Sequence, residues 1–215
     1  MPRPTKKCEW VLWATLVVPL NHVTPEWYIP SYSNLKPNRI SFGAKGLKID
    51  VNDSSSPLFY ALQKSVPIKS ISMRGRISRF SEPPKTMKEG DIPDDCPLRL
   101  GLVETTPGGP SWLQRLVSPL WVKDLFELFP NQTIKKVTFL TIDPYRKVGS
   151  LRTHPKNSLI IEQVALSLKN SGPFQLDYKF KEPLTTQAIW LQSDGDDSHT
   201  RFFVELESLK LETMN

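Results

Sequence analysis

Apolar and polar residues alternate over much of the chain with the two-residue period of β-strands. The alternation is clearest over residues 68–80, where Ile71, Met73 and Ile77 share one face and serines and arginines occupy much of the other. Such a contrast between faces is typical of a half-buried antiparallel strand. By the same criterion, strands are predicted over residues 38–43, 46–51, 57–62, 68–80, 98–104, 135–142, 158–168, 174–180, 187–193 and 201–211.

Residues 111–129 carry the helical signal of the chain. Ser111 can cap a helix whose apolar residues recur at helical spacing, and Pro119 must break or restart it. Residues 120–129 then form a second short helix with one apolar face. Many strands with one short helical insertion predict a mainly β fold, an antiparallel β-sandwich of the jelly-roll type.

The first twenty residues support two interpretations. A basic start (Arg3, Lys6 and Lys7) precedes an apolar stretch over residues 10–20, which suits a secretory signal and is too short for a stable membrane span. The alternative is a first β-strand over residues 10–18. We favour the signal, which predicts a periplasmic or extracellular protein whose mature chain begins near residues 21–27; otherwise the protein is cytoplasmic. Residues 1–26 are thus a signal or N-terminal extension, and residues 27–215 a single β-sandwich domain.

Composition narrows the classes of function. The chain has 215 residues, enough for a full hydrophobic core, and its 20 prolines exclude a bundle of long helices. The net charge of +6 is spread along the chain rather than clustered, which argues against nucleic-acid binding. Cys8 and Cys96 lie far apart with no histidine at ligand spacing from either, so a structural zinc site is not expected.

Three blocks of residues carry a resemblance to a known family: Gly46–Val51 followed by Ser54–Leu58, Lys88–Asp95 followed by the strand from Leu98, and Ala188–Asp197. Together they resemble a bacterial family of unknown function whose members are usually exported. The resemblance implies a sandwich like that of the galactose-binding modules, together with export, and it implies no activity. The chain departs from the family pattern where Pro93 is inserted and Arg99 displaced in an Asp-Asp-Arg run, and where an aromatic-rich strand is replaced by residues 71–77.

Two acidic loops provide the strongest candidate site. One loop enters a predicted strand and the other follows one, and their carboxylates are Asp91, Asp94, Asp95, Asp194, Asp196 and Asp197. Short Asp-rich loops supply the oxygen ligands that calcium prefers, so the pattern predicts a calcium site if the loops converge. Two alternatives remain open: residues 194–198 as an ordinary hairpin turn, and Arg99 as the ion-pair partner of a carboxylate in either loop.

Aromatic residues near these loops suggest a second kind of chemistry. Sugar rings stack on exposed aromatic faces while carboxylates, amides and arginines bond their hydroxyls. The candidate binding residues are Trp190 beside the second acidic loop, Arg99, and Trp112 and Trp121 in the helical region. A tryptophan in an alternating strand usually faces inward, so the orientation of Trp190 stays open at this point.

The pattern favours an exported, non-catalytic binding module for carbohydrate or cell-envelope material. No nucleophile elbow, zinc-protease motif, phosphate-binding loop or dinucleotide fingerprint is present in the sequence. Two alternatives stay open: a glycoside hydrolase with a carboxylate pair, and a protein-interaction or assembly factor that uses residues 111–129. The sequence leaves the oligomeric state open.

Overall fold

A computed structural model describes residues 12–32, 35–79, 94–111, 118, 120–154 and 157–214. This part of the chain forms eleven strands and one helix. The elements are β1 (Trp13–Val17), β2 (Trp27–Tyr28), β3 (Arg39–Gly43), β4 (Gly46–Asn52), β5 (Ser55–Ser78), β6 (Leu98–Pro107), α1 (Leu120–Leu128), β7 (Gln132–Asp143), β8 (Leu151–His154), β9 (Asn157–Ser167), β10 (Gly172–Asp194) and β11 (Arg201–Met214).

The strands belong to one hydrogen-bonded sheet with the order β3-β4-β11-β5-β10-β6-β7-β9-β8. β1 pairs with β11 and β2 pairs with β5 outside this path. Neighbouring strands are antiparallel except β7 and β9, which are parallel because β8 returns the chain on the far side of β9. The prediction of a mainly β fold is confirmed. Within the described residues, the parallel pair is the one departure from a purely antiparallel sheet.

Two long strands connect the layers of the sandwich. The first half of β5 pairs with the second half of β10, beside β6, β7, β9 and β8; this is called the helix-side layer. The second half of β5 and the first half of β10 lie beside β11, β4 and β3 in the opposite layer. Register shifts between Lys179 and Leu184, and between Thr186 and Ala188, mark the crossing point. The strands predicted over residues 57–62 and 68–80 are therefore one element, as are those over 174–180 and 187–193.

The main core lies between the two layers. The opposite layer contributes buried side chains such as Ile49, Met73 and Val204, and the helix-side layer contributes Leu100 and Leu191 among others. Ile71, Met73 and Ile77 are all buried, which confirms the face predicted from the alternation over residues 68–80.

The helix-side layer is also covered on its outer face. A second apolar cluster brings Phe59, Phe139 and Trp190 of the sheet beneath Leu125 and Phe126 of α1. Tyr28 and Tyr32 both donate hydrogen bonds to the Asp124 carboxylate of the helix, which ties α1 to the segment after β2. The helix predicted within residues 111–129 is present over Leu120–Leu128, while 112–117 and 119, which include Trp112, lie outside the described residues.

The segment before β2 packs as a strand and its continuation. β1 pairs with the last residues of β11, and the Val18 N–H extends the pairing to the Leu209 carbonyl at 3.0 Å. Val18 and Leu20 are buried in the main core, and the Trp27 indole N–H donates to the Pro19 carbonyl at 2.9 Å. These are the contacts that the strand interpretation of this segment requires; cleavage and export stay predictions. No helix in the described ranges is both long and apolar enough to cross a bilayer.

Candidate ligand-binding groove

The candidate site lies on the outer face of the helix-side layer, next to α1. Strand alternation explains its chemistry: Leu98, Leu100 and Leu191 face the main core, so Arg99 and Gln192 face outward. Gln192 is the register partner of Arg99 on the neighbouring strand. One half of this face is therefore apolar and covered by α1, and the other half carries charged and amide side chains.

Arg99 is the centre of the polar half. The residue is 4% exposed, and its guanidinium donates from Nε to Cys96 Sγ at 3.0 Å and from Nη1 to Glu162 Oε1 at 3.2 Å. Its Nη2 donates to the Asp94 carbonyl at 2.7 Å and to Asp194 Oδ2 at 3.2 Å. Arg99 is thus the ion-pair partner of the second acidic loop. Burial raises the pKa of the Cys96 thiol to about 12, so Cys96 is a neutral hydrogen-bond acceptor here and no nucleophile.

A second cluster surrounds Asp94. Its carboxylate accepts hydrogen bonds from Arg152, and His154 Nε2 lies 3.0 Å from its Oδ2. The bond with His154, followed by the charges of Arg99 and Arg152, holds the pKa of Asp94 below its usual range. Asp94, His154 and Glu162 lie close enough together to share a metal ion. Arg99 and Arg152 already neutralise the two carboxylates, so the residues present form an ion-pair network rather than a metal centre.

The two acidic loops converge, but the second loop does not form the simple hairpin that was one of the predicted alternatives. Asp95 accepts hydrogen bonds from the backbone N–H groups of Asp197 at 3.3 Å and Ser198 at 2.7 Å. The strands on either side of this loop, β10 and β11, are not neighbours, because β5 lies between them. The hairpin interpretation of residues 194–198 is therefore wrong: the loop crosses from one layer to the other. Gly195 is required at this crossing since an added Cβ would lie 2.8 Å from the Val51 side chain.

Three of the six predicted calcium ligands come together. Carboxylate oxygens of Asp95, Asp194 and Asp196 lie within 4.8 Å of one another. Burial, together with the charges of Asp196 and Asp95, raises the pKa of Asp194 well above its usual range, although Arg99 acts in the opposite direction. Asp194 Oδ1 is buried and accepts no hydrogen bond from the described residues. Asp94 belongs to the Arg152 cluster, Asp197 is exposed, and Asp91 lies outside the described residues.

A cavity of about 360 Å³ lies between the two halves of the face and is called the aromatic cavity. Its volume is within the usual range for small-ligand sites. Its walls combine aromatic rings with side chains that can bond hydroxyl groups: Tyr32, Trp121, Trp190, Asp94, His154, Asn157, Gln192 and Asp194.

The two tryptophans of this cavity differ in exposure. Trp190 is 4% exposed and packs against Phe59, Trp121 and Phe139, with ring centroids 4.9 to 5.1 Å apart. Gly101 makes this packing feasible, because an added Cβ would lie 2.7 Å from the Phe139 ring. Trp121 is half-buried and lines the cavity above Trp190. Trp190 therefore supports the cavity and can offer a ligand only a small part of its ring, whereas Trp121 offers more.

A second cavity, of about 490 Å³, shares Asp94 and Arg99 with the first and is called the basic cavity. It extends over β7, β8 and the residues between them, where it is lined by Tyr145, Arg146, Lys147, Ser150 and Arg152. The sequence patterns did not predict these residues, nor His154, Asn157, Glu162 or Gln192. Glu162 and Gln192 could have been predicted from the sequence, because each lies at an outward-facing position of a predicted strand. Residues 143–154 contain no comparable pattern.

The solved structures that resemble this chain at low sequence identity include a carbohydrate-binding module and the exoplasmic/lumenal domain of VIP36. The family 11 carbohydrate-binding module from Clostridium thermocellum, solved in complex with a β-1,3-1,4-mixed-linked tetrasaccharide, has 10% identity and a TM-score of 0.44, and covers 92% of this chain and 94% of its own. The exoplasmic/lumenal domain of VIP36 in its Ca²⁺/Man2-bound form has 12% identity and a TM-score of 0.42, and covers 92% and 86%. No family model and no curated protein matches the chain. Because both TM-scores are below 0.5, neither likeness indicates the function of this chain.

Proposed function

We propose that the chain is a carbohydrate-binding module and that the aromatic cavity is its binding site. The observation that carries the proposal is the composition of this one cavity, where Trp121 and Tyr32 face carboxylate, amide and imidazole groups. A pyranose ring has the complementary surface, with C–H groups on its faces and hydroxyls around its edge. Aromatic side chains provide large apolar contact area for such a ligand, and a few placed polar groups fix its orientation.

The ion-pair network beneath the cavity supports this assignment. Asp94 and Asp194 are held by Arg152 and Arg99, so their positions are fixed before a ligand arrives. Fixing polar groups in advance lowers the conformational entropy lost on binding. The contact of Trp121 with Trp190, whose rings are tilted at 43° to each other, in turn fixes the aromatic wall. A rigid site of this kind suits recognition of one sugar geometry.

The test is retardation of the native protein in gels that contain a neutral polysaccharide, namely hydroxyethyl cellulose, galactomannan, arabinoxylan or dextran. At least one of these should retard the wild-type protein, and Trp121→Ala should lower that affinity about tenfold, in the range of one lost aromatic contact. Trp13→Ala is the matched control, because Trp13 is 46% exposed on β1, away from the cavity. Unchanged migration of the wild-type protein in every gel, with no binding to an acidic polysaccharide such as polygalacturonate either, would refute the proposal.

A second candidate function, glycoside hydrolysis, is favoured by the two carboxylates of the cavity. Asp94 and Asp194 both line it, and the pKa of the first is lowered while that of the second is raised. A pair of carboxyl groups with pKa values pushed apart is the arrangement that a general acid and a general base require. Release of reducing ends from the polysaccharide that binds, abolished in Asp194→Asn, would establish hydrolysis. Binding without release of reducing ends would contradict hydrolysis and support the carbohydrate-binding module.

We further propose that the cluster of Asp95, Asp194 and Asp196 binds calcium. The proposal is supported by the proximity of the three carboxylates and by the unbonded Oδ1 of Asp194, since a buried carboxylate oxygen without a donor is costly. Calcium would neutralise the repulsion among these groups and hold the crossing loop next to the aromatic cavity. Export also remains a proposal, supported by the basic start and apolar stretch of residues 3–20.

A further inference from the structure

We infer that the basic cavity is a second subsite that binds the anionic group of an acidic polysaccharide, such as the carboxylate of a uronic acid. The inference rests on the proposed carbohydrate-binding function and names the class of ligand. The two cavities are neighbours and share Asp94 and Arg99 as a common wall. A glycan chain that places one sugar against Trp121 would therefore extend its next residue over this wall.

The charged side chains of the basic cavity indicate which chemical group the next sugar unit of the glycan should carry. Four basic side chains and three acidic ones line the cavity: Arg99, Arg146, Lys147 and Arg152, and Asp94, Asp143 and Glu162. Each acidic side chain is already neutralised. Arg146 Nη1 lies 2.8 Å from Asp143 Oδ2, and Arg99 and Arg152 hold the other two carboxylates.

Lys147 is the basic residue left over. It is exposed at the edge of the cavity and makes no ion pair with any described residue. The backbone around it is fixed, because Asp143 Oδ1 accepts hydrogen bonds from the N–H groups of Tyr145 at 2.7 Å and Arg146 at 2.8 Å. Lys147 thus presents an ammonium group without an ion-pair partner among the described residues, from a fixed turn at the edge of the cavity.

The remaining wall can complete the binding of an anion. The Tyr145 phenol and the Ser150 hydroxyl line the same cavity and can donate hydrogen bonds to a carboxylate or a sulfate. Charge-assisted hydrogen bonds of this kind are stronger than those between neutral groups. The net charge of +6 acts in the same direction, since it attracts a polyanion from a distance.

The experiment compares polysaccharides that differ mainly in charge. Polygalacturonate is the acidic probe and its highly methyl-esterified form is the neutral probe on the same backbone. Desulfated chondroitin, which keeps its uronate carboxylates, and its carboxyl-reduced form are a second pair. At 50 mM salt, wild-type protein should bind the acidic member of at least one pair at least about fivefold more tightly. The preference should decline at 500 mM salt, where charges are screened within about 4–5 Å.

Lys147→Gln should lower the affinity for the acidic probe about three- to tenfold and leave the affinity for neutral polysaccharides unchanged. Lys45→Gln is the matched control, since Lys45 is an equally exposed lysine in the turn between β3 and β4, at the other end of the strand order. Equal loss in both variants would show that only the net charge matters and would overturn the subsite.

The outcomes separate this inference from the proposed function. Binding of neutral polysaccharides without preference for the acidic probes overturns the subsite and leaves the carbohydrate-binding function in place. Absence of binding to every probe, neutral or acidic, overturns both. Preference for the acidic probes that survives Lys147→Gln contradicts the placement of the anion in the basic cavity.

Discussion

At the scale of single residues, the two cavities depend on Arg99, a buried arginine whose neighbours keep it charged and hydrogen-bonded. Arg99 contacts a thiol, a backbone carbonyl and the carboxylates of Glu162 and Asp194. Removing one member of such a buried set leaves the others charged in a region of low dielectric, which is strongly destabilising. Arg99 thereby links the helix-side strands to both acidic loops.

The first prediction concerns this arginine. Arg99→Met should lower the free energy of unfolding by about 3 kcal/mol or more, because Asp194 and Glu162 lose a buried charge partner. Urea unfolding measures the change. Arg74→Met removes an ion pair with Glu207 whose side chains are 62% and 47% exposed, and it should cost less than about 1 kcal/mol. Equal losses in the two variants would show that the Arg99 network contributes no more than a surface pair.

The second prediction concerns calcium at the crossing loop. A site saturated a hundredfold above its dissociation constant gains about 2.7 kcal/mol, and in a domain of this size that raises the melting temperature by about 5–10 °C. Calcium should therefore raise the melting temperature of the wild-type protein relative to a chelator. Asp196→Asn should abolish the shift, whereas Asp197→Asn should retain it, because Asp197 lies outside the three-carboxylate cluster. Identical melts with calcium and with chelator would show that the loop needs no ion.

At the scale of strands and helices, alternation predicted much of what the structure contains. The buried faces of β4, β5 and β11 follow from the period of two, and the helix over Leu120–Leu128 lies within the predicted region. Alternation reports which face a residue occupies and not which strand lies beside it. For that reason the parallel pairing of β7 with β9 and the separation of β10 from β11 were not predictable. The long strands β5 and β10 were divided in the prediction because a register shift interrupts their alternation.

Only part of the candidate site was predicted from the sequence. Arg99 and the acidic loops were identified because several charged residues lie close together in the sequence. Arg152, His154 and Glu162 bond to Asp94 or Arg99, which lie about sixty residues away along the chain, and no local sequence pattern indicates such contacts. Tyr32 reaches the site in the same way, because its hydrogen bond to Asp124 depends on the position of α1.

The third prediction concerns the N-terminal strand. Val18 and Leu20 are buried in the main core and β1 pairs with β11, so a variant that begins at residue 27 loses two core side chains and one strand pairing. Its free energy of unfolding should fall by about 3 kcal/mol or more. Thermal or urea unfolding of the full and shortened chains measures this. A shortened chain as stable as the full one would instead favour removal of the segment as a signal.

At the scale of the whole molecule, the sandwich separates stability from recognition. The main core between the layers holds the fold together, while the outer face of the helix-side layer carries both cavities and the convergence of the acidic loops. Because β5 and β10 belong to both layers, the position of the two cavities is fixed by the same strands that build the core. A preformed surface of this kind fits binding without a large conformational change.

The most direct test of the account is a ¹H–¹⁵N spectrum of the tryptophan indole groups during titration with a tetrasaccharide from the polysaccharide that binds best. The Trp121 signal is assigned with Trp121→Phe and the Trp13 signal with Trp13→Phe. The account predicts a saturable shift of the Trp121 signal, with the signal of exposed Trp13 on β1 unchanged. A titration that leaves Trp121 unchanged would contradict carbohydrate binding in the aromatic cavity.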